Sequence, residues 1–337
     1  MSLRYIVPAV GAIALTAAPL AAFELGEGIE LGGFVDTGLQ IDSFDDAAPG
    51  KPAATLGEDD PDTNVDFWAM TELQVGGAVT EDESVSVQVD VEIDDTGAVT
   101  LEQAYVMWQI NDMVALTSGR FQNWIGWEAY DAPDLYRINH TVLWNEGWSF
   151  GDATTGMSLT VTPNEQLTLG FYLVDSIFAL APGADPSSTD IGLGISADYT
   201  LADDMGWVGA DFSVDTGAGV NDDGDDTSAA FGLNVNAEVT PMDKLTLGGQ
   251  LDYFDRDRAS GFAGILFGNY AFHEMASGTL MITYMEPDDD TDDDEVLEIA
   301  AAVLTAPVSD DAFALNFELR YLSREADDAD SFGFGVE

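Results

Sequence analysis

Residues 84–94 read Ser84-Val85-Ser86-Val87-Gln88-Val89-Asp90-Val91-Glu92-Ile93-Asp94. Val85, Val87, Val89, Val91 and Ile93 share one parity, and the polar residues share the other. Such strict alternation describes a strand with one apolar and one polar face. At about 3.3 Å per residue it is long enough to cross a bilayer when tilted. Strands of soluble domains run shorter, about five or six residues.

Working outward from this stretch, the pattern recurs. Toward the N-terminus it appears at 29–41 and 65–75. Toward the C-terminus it appears at 103–110, 114–121, 157–161, 167–173, 191–199, 208–214, 231–239, 245–253, 262–272, 280–284, 297–303, 313–321 and 332–336. Segment 262–272 is apolar on both parities, so the pattern does not distinguish its faces. The connections also alternate. Short turns such as Thr80-Glu81-Asp82-Glu83, Asn111-Asp112 and Pro163-Asn164-Glu165 follow the even strands of this count. Longer acidic or Pro/Gly-rich loops, such as 43–64, 221–226 and 288–295, follow most odd ones.

Loops sorted by length onto two sides point to a transmembrane barrel. The apolar parity is nearly free of charge, as lipid contact demands, since a Lys or Arg there costs about 2–4 kcal/mol at mid-depth. Tyr253, Tyr284 and Tyr321 fall on that parity at loop ends, and Trp108 and Tyr199 near turn ends, which predicts two aromatic girdles. The predicted fold class is all-β: a transmembrane antiparallel β-barrel of about 16 strands, with short periplasmic turns and long acidic extracellular loops. Closure pairs every backbone group in lipid and leaves a water-filled lumen at this strand number.

Composition narrows the function. The chain has 63 acidic and 9 basic residues, a formal net charge of -54. That excess excludes a nucleic-acid-binding surface, which needs a basic patch. With 46% apolar residues the chain is a packed protein, not a disordered one. Lys51 and Lys244 are its only lysines, which fits surface acidification in a marine or halophilic source. There is no cysteine, so disulfides and thiolate metal sites are excluded.

Residues 1–22 read as a signal peptide, with Arg4 before an apolar stretch at 6–18 and Leu20-Ala21-Ala22 at the cleavage site. The expected mature chain is one barrel domain, 23–337. No later apolar run is long enough for a membrane helix.

The polar parity then lines the pore. Its acids are Glu30, Asp36, Asp66, Glu72, Asp90, Glu92, Asp198, Asp211, Glu238, Asp252, Glu298 and Glu318, with Arg120 and Arg320 as the clearest bases. Carboxylate rings attract cations. Segment 122–150 breaks the alternation and gathers Trp124, Trp127, Tyr130, Tyr136 and Trp144 with Glu128, Asp131, Arg137 and His140. A long aromatic loop is usually functional or packed on something. Folded into the lumen, it makes Arg120, Trp124, Trp127, Glu128, Asp131 and Arg137 the expected constriction; stacking of its rings on sugars is a second expectation.

The run Leu101-Glu102-Gln103-Ala104-Tyr105-Val106, then Gly119-Arg120-Phe121, Gly126 and Glu128, resembles the β-barrel porin-2 group of Gram-negative outer-membrane proteins. The hairpin at 160–175 is similar to that group too. The resemblance is good over 99–200 and elsewhere lies in pattern alone. It implies an outer-membrane porin and names no substrate. One departure is the ending Phe332-Gly333-Phe334-Gly335-Val336-Glu337, where such barrels usually end on an aromatic residue.

Other chemistry is weaker. Asn221-Asp222-Asp223-Gly224-Asp225-Asp226 and 288–294 carry oxygen ligands but lack Ca²⁺-loop spacing. An enzyme on the barrel needs a nucleophile beside a base, and His140 and His273 neighbour no Gly-x-Ser-x-Gly elbow. A structural or adhesive barrel with a plugged lumen is the alternative. The reading is a non-enzymatic porin without cofactor or metal, passing small hydrophilic solutes and cations. Outer-membrane lipid and a homotrimer are its expected partners.

Overall fold

The computed structural model describes residues 18–26, 28–45, 63–128, 135–145, 153–175, 177, 191–202, 205–216, 229–256, 259–288, 295–306, 314–324 and 329–337. In chain order its strands are β1 (Ala18–Gly26), β2 (Ile29–Asp45), β3 (Thr63–Ala78), β4 (Val85–Ile93), β5 (Val99–Asn111), β6 (Val114–Gln122), β7 (Ala153–Asn164), β8 (Leu167–Val174) and β9 (Gly192–Thr200). They continue with β10 (Gly206–Asp215), β11 (Ala230–Met242), β12 (Leu245–Arg256), β13 (Ala259–His273), β14 (Ala276–Asp288), β15 (Val296–Thr305), β16 (Phe317–Arg324) and β17 (Ala329–Val336). One helical turn, α1 (Val142–Asn145), interrupts the connection between β6 and β7.

Every strand from β2 to β17 pairs antiparallel with its sequence neighbour, and β17 returns to β2. These strands correspond one to one with the stretches read from the alternation. β1 is additional. β17 covers the Leu39–Asp45 half of one β2 edge, and β1 covers the Ile29–Val35 half of the same edge. Two strands share one place in the wall, so the closed barrel has sixteen positions. The boundary expected before Phe23 falls inside β1.

The faces are those of a membrane barrel turned inside out relative to a soluble protein. On β11, Leu233 and Val235 are 45% and 49% exposed, while Asn234 and Asn236 between them are 0% and 4%. On β9, Leu193 and Ile195 are exposed and Ser196 is buried. Such a belt in water would forfeit about 25 cal/mol per Å² of apolar surface; a bilayer removes that cost. At the loop ends, Tyr253 packs between Phe231 and Phe262, with ring centroids 5.7 and 4.8 Å away. Tyr321 meets Phe332 at 5.0 Å. These are cross-strand aromatic pairs where headgroups would lie.

One boundary differs from the alternation. β16 begins at Phe317, and the connection after β15 is longer than the short turn expected there. Leu315 donates its N–H to the Thr305 carbonyl, and Asn316 and Glu337 exchange backbone hydrogen bonds, so this run is held without being strand. Phe313, Tyr130, Asp131, Trp148 and the acidic runs 221–226 and 289–294 lie outside the described residues.

Candidate functional site

Twelve acids were expected on the lumen side, and the register places all twelve on the inward parity. Their surroundings differ. Glu30 and Asp66 are exposed, and Glu92, Asp198 and Glu238 are half-buried. Asp36, Glu72, Asp90, Asp211, Asp252, Glu298 and Glu318 are buried in polar contacts. The physical reason is an amide partner beside many carboxylates. Gln74 donates to Glu72 at 2.6 Å, Gln88 and Gln103 donate to Asp90, and Gln250 donates to Asp252 at 2.6 Å. The Trp68 indole donates to Asp36 at 3.0 Å. Hydrogen bonds to charged acceptors are the stronger kind and hold the carboxylates along the wall.

Another stretch of the wall carries an apolar patch on its inward parity. β13, β14 and β15 present Ala263, Ile265, Phe267, Met281, Met285 and Val296 toward the lumen, all buried. The segment between β6 and β7 covers them. Val142 and Leu143 of α1 enter the cluster, and Trp127 and Tyr136 pack against it. The Trp127 ring stacks on Phe267 with centroids 4.0 Å apart, and Tyr136 lies 4.8 Å from the same ring. Segment 262–272 is therefore apolar on both parities because one face meets lipid and the other meets this loop.

Two wall carboxylates fasten the loop. Arg137, 1% exposed, donates Nη2 to Glu298 and to Glu318, each at 2.8 Å, and Nε to Glu318 at 3.2 Å. Glu318 also accepts the backbone N–H of Ile138 at 2.9 Å, and Glu298 that of Val142 at 3.0 Å. Burial works against the Arg137 charge, but Glu318 and Glu298 more than offset it and hold its pKa above the ordinary value. Buried carboxylates need such compensation.

Within the loop, Glu128 accepts the Thr141 N–H and hydroxyl, both at 2.7 Å, tying its two arms together. Desolvation pushes the Glu128 carboxyl up to about 7, against the opposing pull of the Thr141 bonds. Trp127 donates its backbone N–H to Gln250 at 2.6 Å and its indole N–H to Glu238 at 3.1 Å. Trp124 stacks parallel on Tyr172 of β8, centroids 3.6 Å apart. A Cβ on Gly194 would overlap the Trp124 ring, so that glycine makes the seat for the indole.

Arg120 departs from its expected place. Its register partners are Ala104 and Thr155, on the parity that also carries Val106 and the exposed Met157. That parity faces outward, and Arg120 Nε donates to the Leu101 carbonyl at 2.9 Å. β6 has mixed residues on both parities, so only pairing with β5 decides its faces. Arg320 does point inward, meeting Asp42 at 3.1 Å. Gly119, in the same motif as Arg120, has φ +138°, and a Cβ there would strike the Ala104 carbonyl.

Sequence reading missed Thr141, Tyr172, Phe267 and the buried amides Asn234 and Asn236. The legible signal for Phe267 was the two-sided apolarity of its strand. A cavity of about 240 Å³ remains between loop and wall, bounded by Trp127, Leu135, Tyr136, Trp207, Glu238 and Met281.

An inside-out barrel whose lumen carries an inserted, ion-paired loop defines an outer-membrane channel of the porin kind. The chain belongs to the putative beta-barrel porin-2, OmpL-like family, whose pattern matches residues 28–291. No curated protein matches it by sequence. Among solved structures it is similar to the anion-selective porin of Comamonas acidovorans, with a TM-score of 0.68, 14% identity, and 91% of this chain and 97% of that one covered. The outer membrane channel DcaP of Acinetobacter baumannii gives 0.64, 13%, 94% and 99%. OprB of Pseudomonas putida gives 0.63, 8%, 92% and 94%. Those likenesses concern the fold, and the family places the chain in a Gram-negative outer membrane.

Proposed function

We propose that this porin passes small hydrophilic solutes and ions passively, preferring cations, through the space left between the fastened loop and the polar wall. The observation that carries it is the Arg137 clasp, which holds a loop against β13–β16 in a lumen whose β2–β4 wall is polar. Trp124, Trp127, Glu128 and Arg137 then narrow the passage, with Asp131 of the same loop.

The cation preference rests on charge. Twelve inward acids outnumber the inward arginines, Arg320 and Arg324 among them, and the Arg137 charge is spent on Glu298 and Glu318. The Comamonas porin is anion-selective, so a shared fold leaves the sign to the lining. A homotrimer, a marine or halophilic source and signal cleavage before Phe23 belong to the same reading. Cleavage there leaves residues 23–26 of β1 still paired with β2.

The test is purified protein in a planar bilayer across a KCl gradient. Stepwise conductance with a cation-signed reversal potential is expected. An anion-signed potential would overturn the preference, and absence of conductance would overturn the porin and favour a plugged barrel.

A further inference from the structure

The 240 Å³ cavity falls below the roughly 300–1,000 Å³ of sites for drug-sized ligands, so its occupant is small. Three rings bound it: Trp127 and Tyr136 from the loop and Trp207 from β10. Glu238, the cross-strand partner of Trp207, lines it beside them.

Most polar groups around this cavity are already engaged. Glu238 accepts the Trp127 indole N–H, and the Tyr136 hydroxyl also bonds to it. Glu128 is held by Thr141, and Arg137 by Glu298 and Glu318. The remaining Arg137 nitrogen, Nη1, is buried without a hydrogen-bond partner. A sugar needs free donors and acceptors and finds few here. A hard metal ion needs several oxygens at 2.0–2.6 Å. Among the described residues no group of three or more His, Cys, Asp or Glu could hold one. What the cavity offers besides is three aromatic rings and negative charge, since the Arg137 cation in its lining is offset by two carboxylates. Both suit a cation that has no N–H to donate, because ring faces attract it electrostatically without hydrogen bonds.

We infer that the cavity binds a small quaternary ammonium solute, its methylated head against the Trp127, Tyr136 and Trp207 rings and its charge balanced by Glu238. This rests on the proposed passage of cationic solutes and names the class that would pause there. A channel site must be favourable enough to enter and weak enough to leave.

The experiment uses the folded full-length protein in detergent, titrated calorimetrically with tetramethylammonium chloride, with NaCl and glucose as comparisons. The same salt is then added to single channels in a planar bilayer. Saturable binding specific to tetramethylammonium is expected, with a matching stepwise reduction of KCl conductance. Trp207→Ala and Glu238→Gln should each weaken binding roughly ten-fold. Glu238→Gln keeps an acceptor for the Trp127 indole, so it tests charge even where Trp207→Ala does not fold. Heat matched by NaCl or glucose, or undiminished affinity in Glu238→Gln, would overturn the site. Conductance without saturable binding removes the site and leaves the porin; binding without conductance removes the porin and leaves the site.

Discussion

Two stretches of this barrel wall handle buried carboxylates in different ways. On the β2–β4 side, wall residues serve one another: Trp68 holds Asp36, Gln74 holds Glu72, and Gln88 with the β5 residue Gln103 holds Asp90. On the β15–β16 side, Glu298 and Glu318 are served by the loop, through the Arg137 guanidinium and two backbone N–H groups. The first arrangement is a property of the wall alone. The second makes wall and loop depend on each other, joined by one buried guanidinium.

The largest effect should come from Arg137→Met. It strands two buried carboxylates, at a cost of about 3–5 kcal/mol. Thermal unfolding in detergent should fall accordingly and single-channel conductance should rise several-fold. Unchanged conductance would break the link between clasp and passage.

Next is Trp127→Ala, which removes the ring over Phe267 and the bond to Glu238. A loss of about 3 kcal/mol in denaturant stability is expected, within the range for large aromatic truncations. Combined with Trp124→Ala it should also raise conductance. If it does not, the loop is packing without constricting.

A smaller, pH-dependent effect belongs to Glu128. Its folded carboxyl sits at about 7 against an ordinary 4.5, raised by desolvation. Its contribution is therefore full below the ordinary value and is lost as pH climbs through about 7. Channel noise and conductance should increase from pH 5 to pH 9 in the native protein and stay flat in Glu128→Gln. A native channel equally quiet at both values would remove Glu128 as the titrating tie.

Smallest is Asp66→Lys on the polar side. Asp66 is exposed, so stability should change by less than about 0.5 kcal/mol while the reversal potential moves toward zero. A marked loss of stability instead would show that this wall, too, depends on something beyond itself.

Much of the barrel could be read from alternation, because lipid on one side and water or polar packing on the other impose a period of two. Leu233-Asn234-Val235-Asn236 states its faces outright. The reading failed where that contrast vanishes. Segment 262–272 has two apolar faces because Trp127, about 140 residues earlier, covers one of them. Arg120 sits in a strand of mixed parity, so its outward placement comes from pairing with Ala104 rather than from its own neighbours. The loop residues were visible as an aromatic break in the rhythm. Their partners Glu298 and Glu318 looked like any other inward acid, since nothing local distinguishes a carboxylate awaiting a guanidinium from one awaiting water.

The shared position of β1 and β17 along β2 bears on how the barrel is made. All pairings from β2 to β17 join sequence neighbours and can form as hairpins, but the seam joins Val336 to Leu39 across nearly the whole chain. Closing so long a loop carries the greatest entropic cost and is slow. Residues 23–26 of β1, which the proposed cleavage leaves in place, can pair early with Ile29–Leu31 at the start of that edge. The last strand then docks on the seven residues Leu39–Asp45, so a short template carries the register of closure.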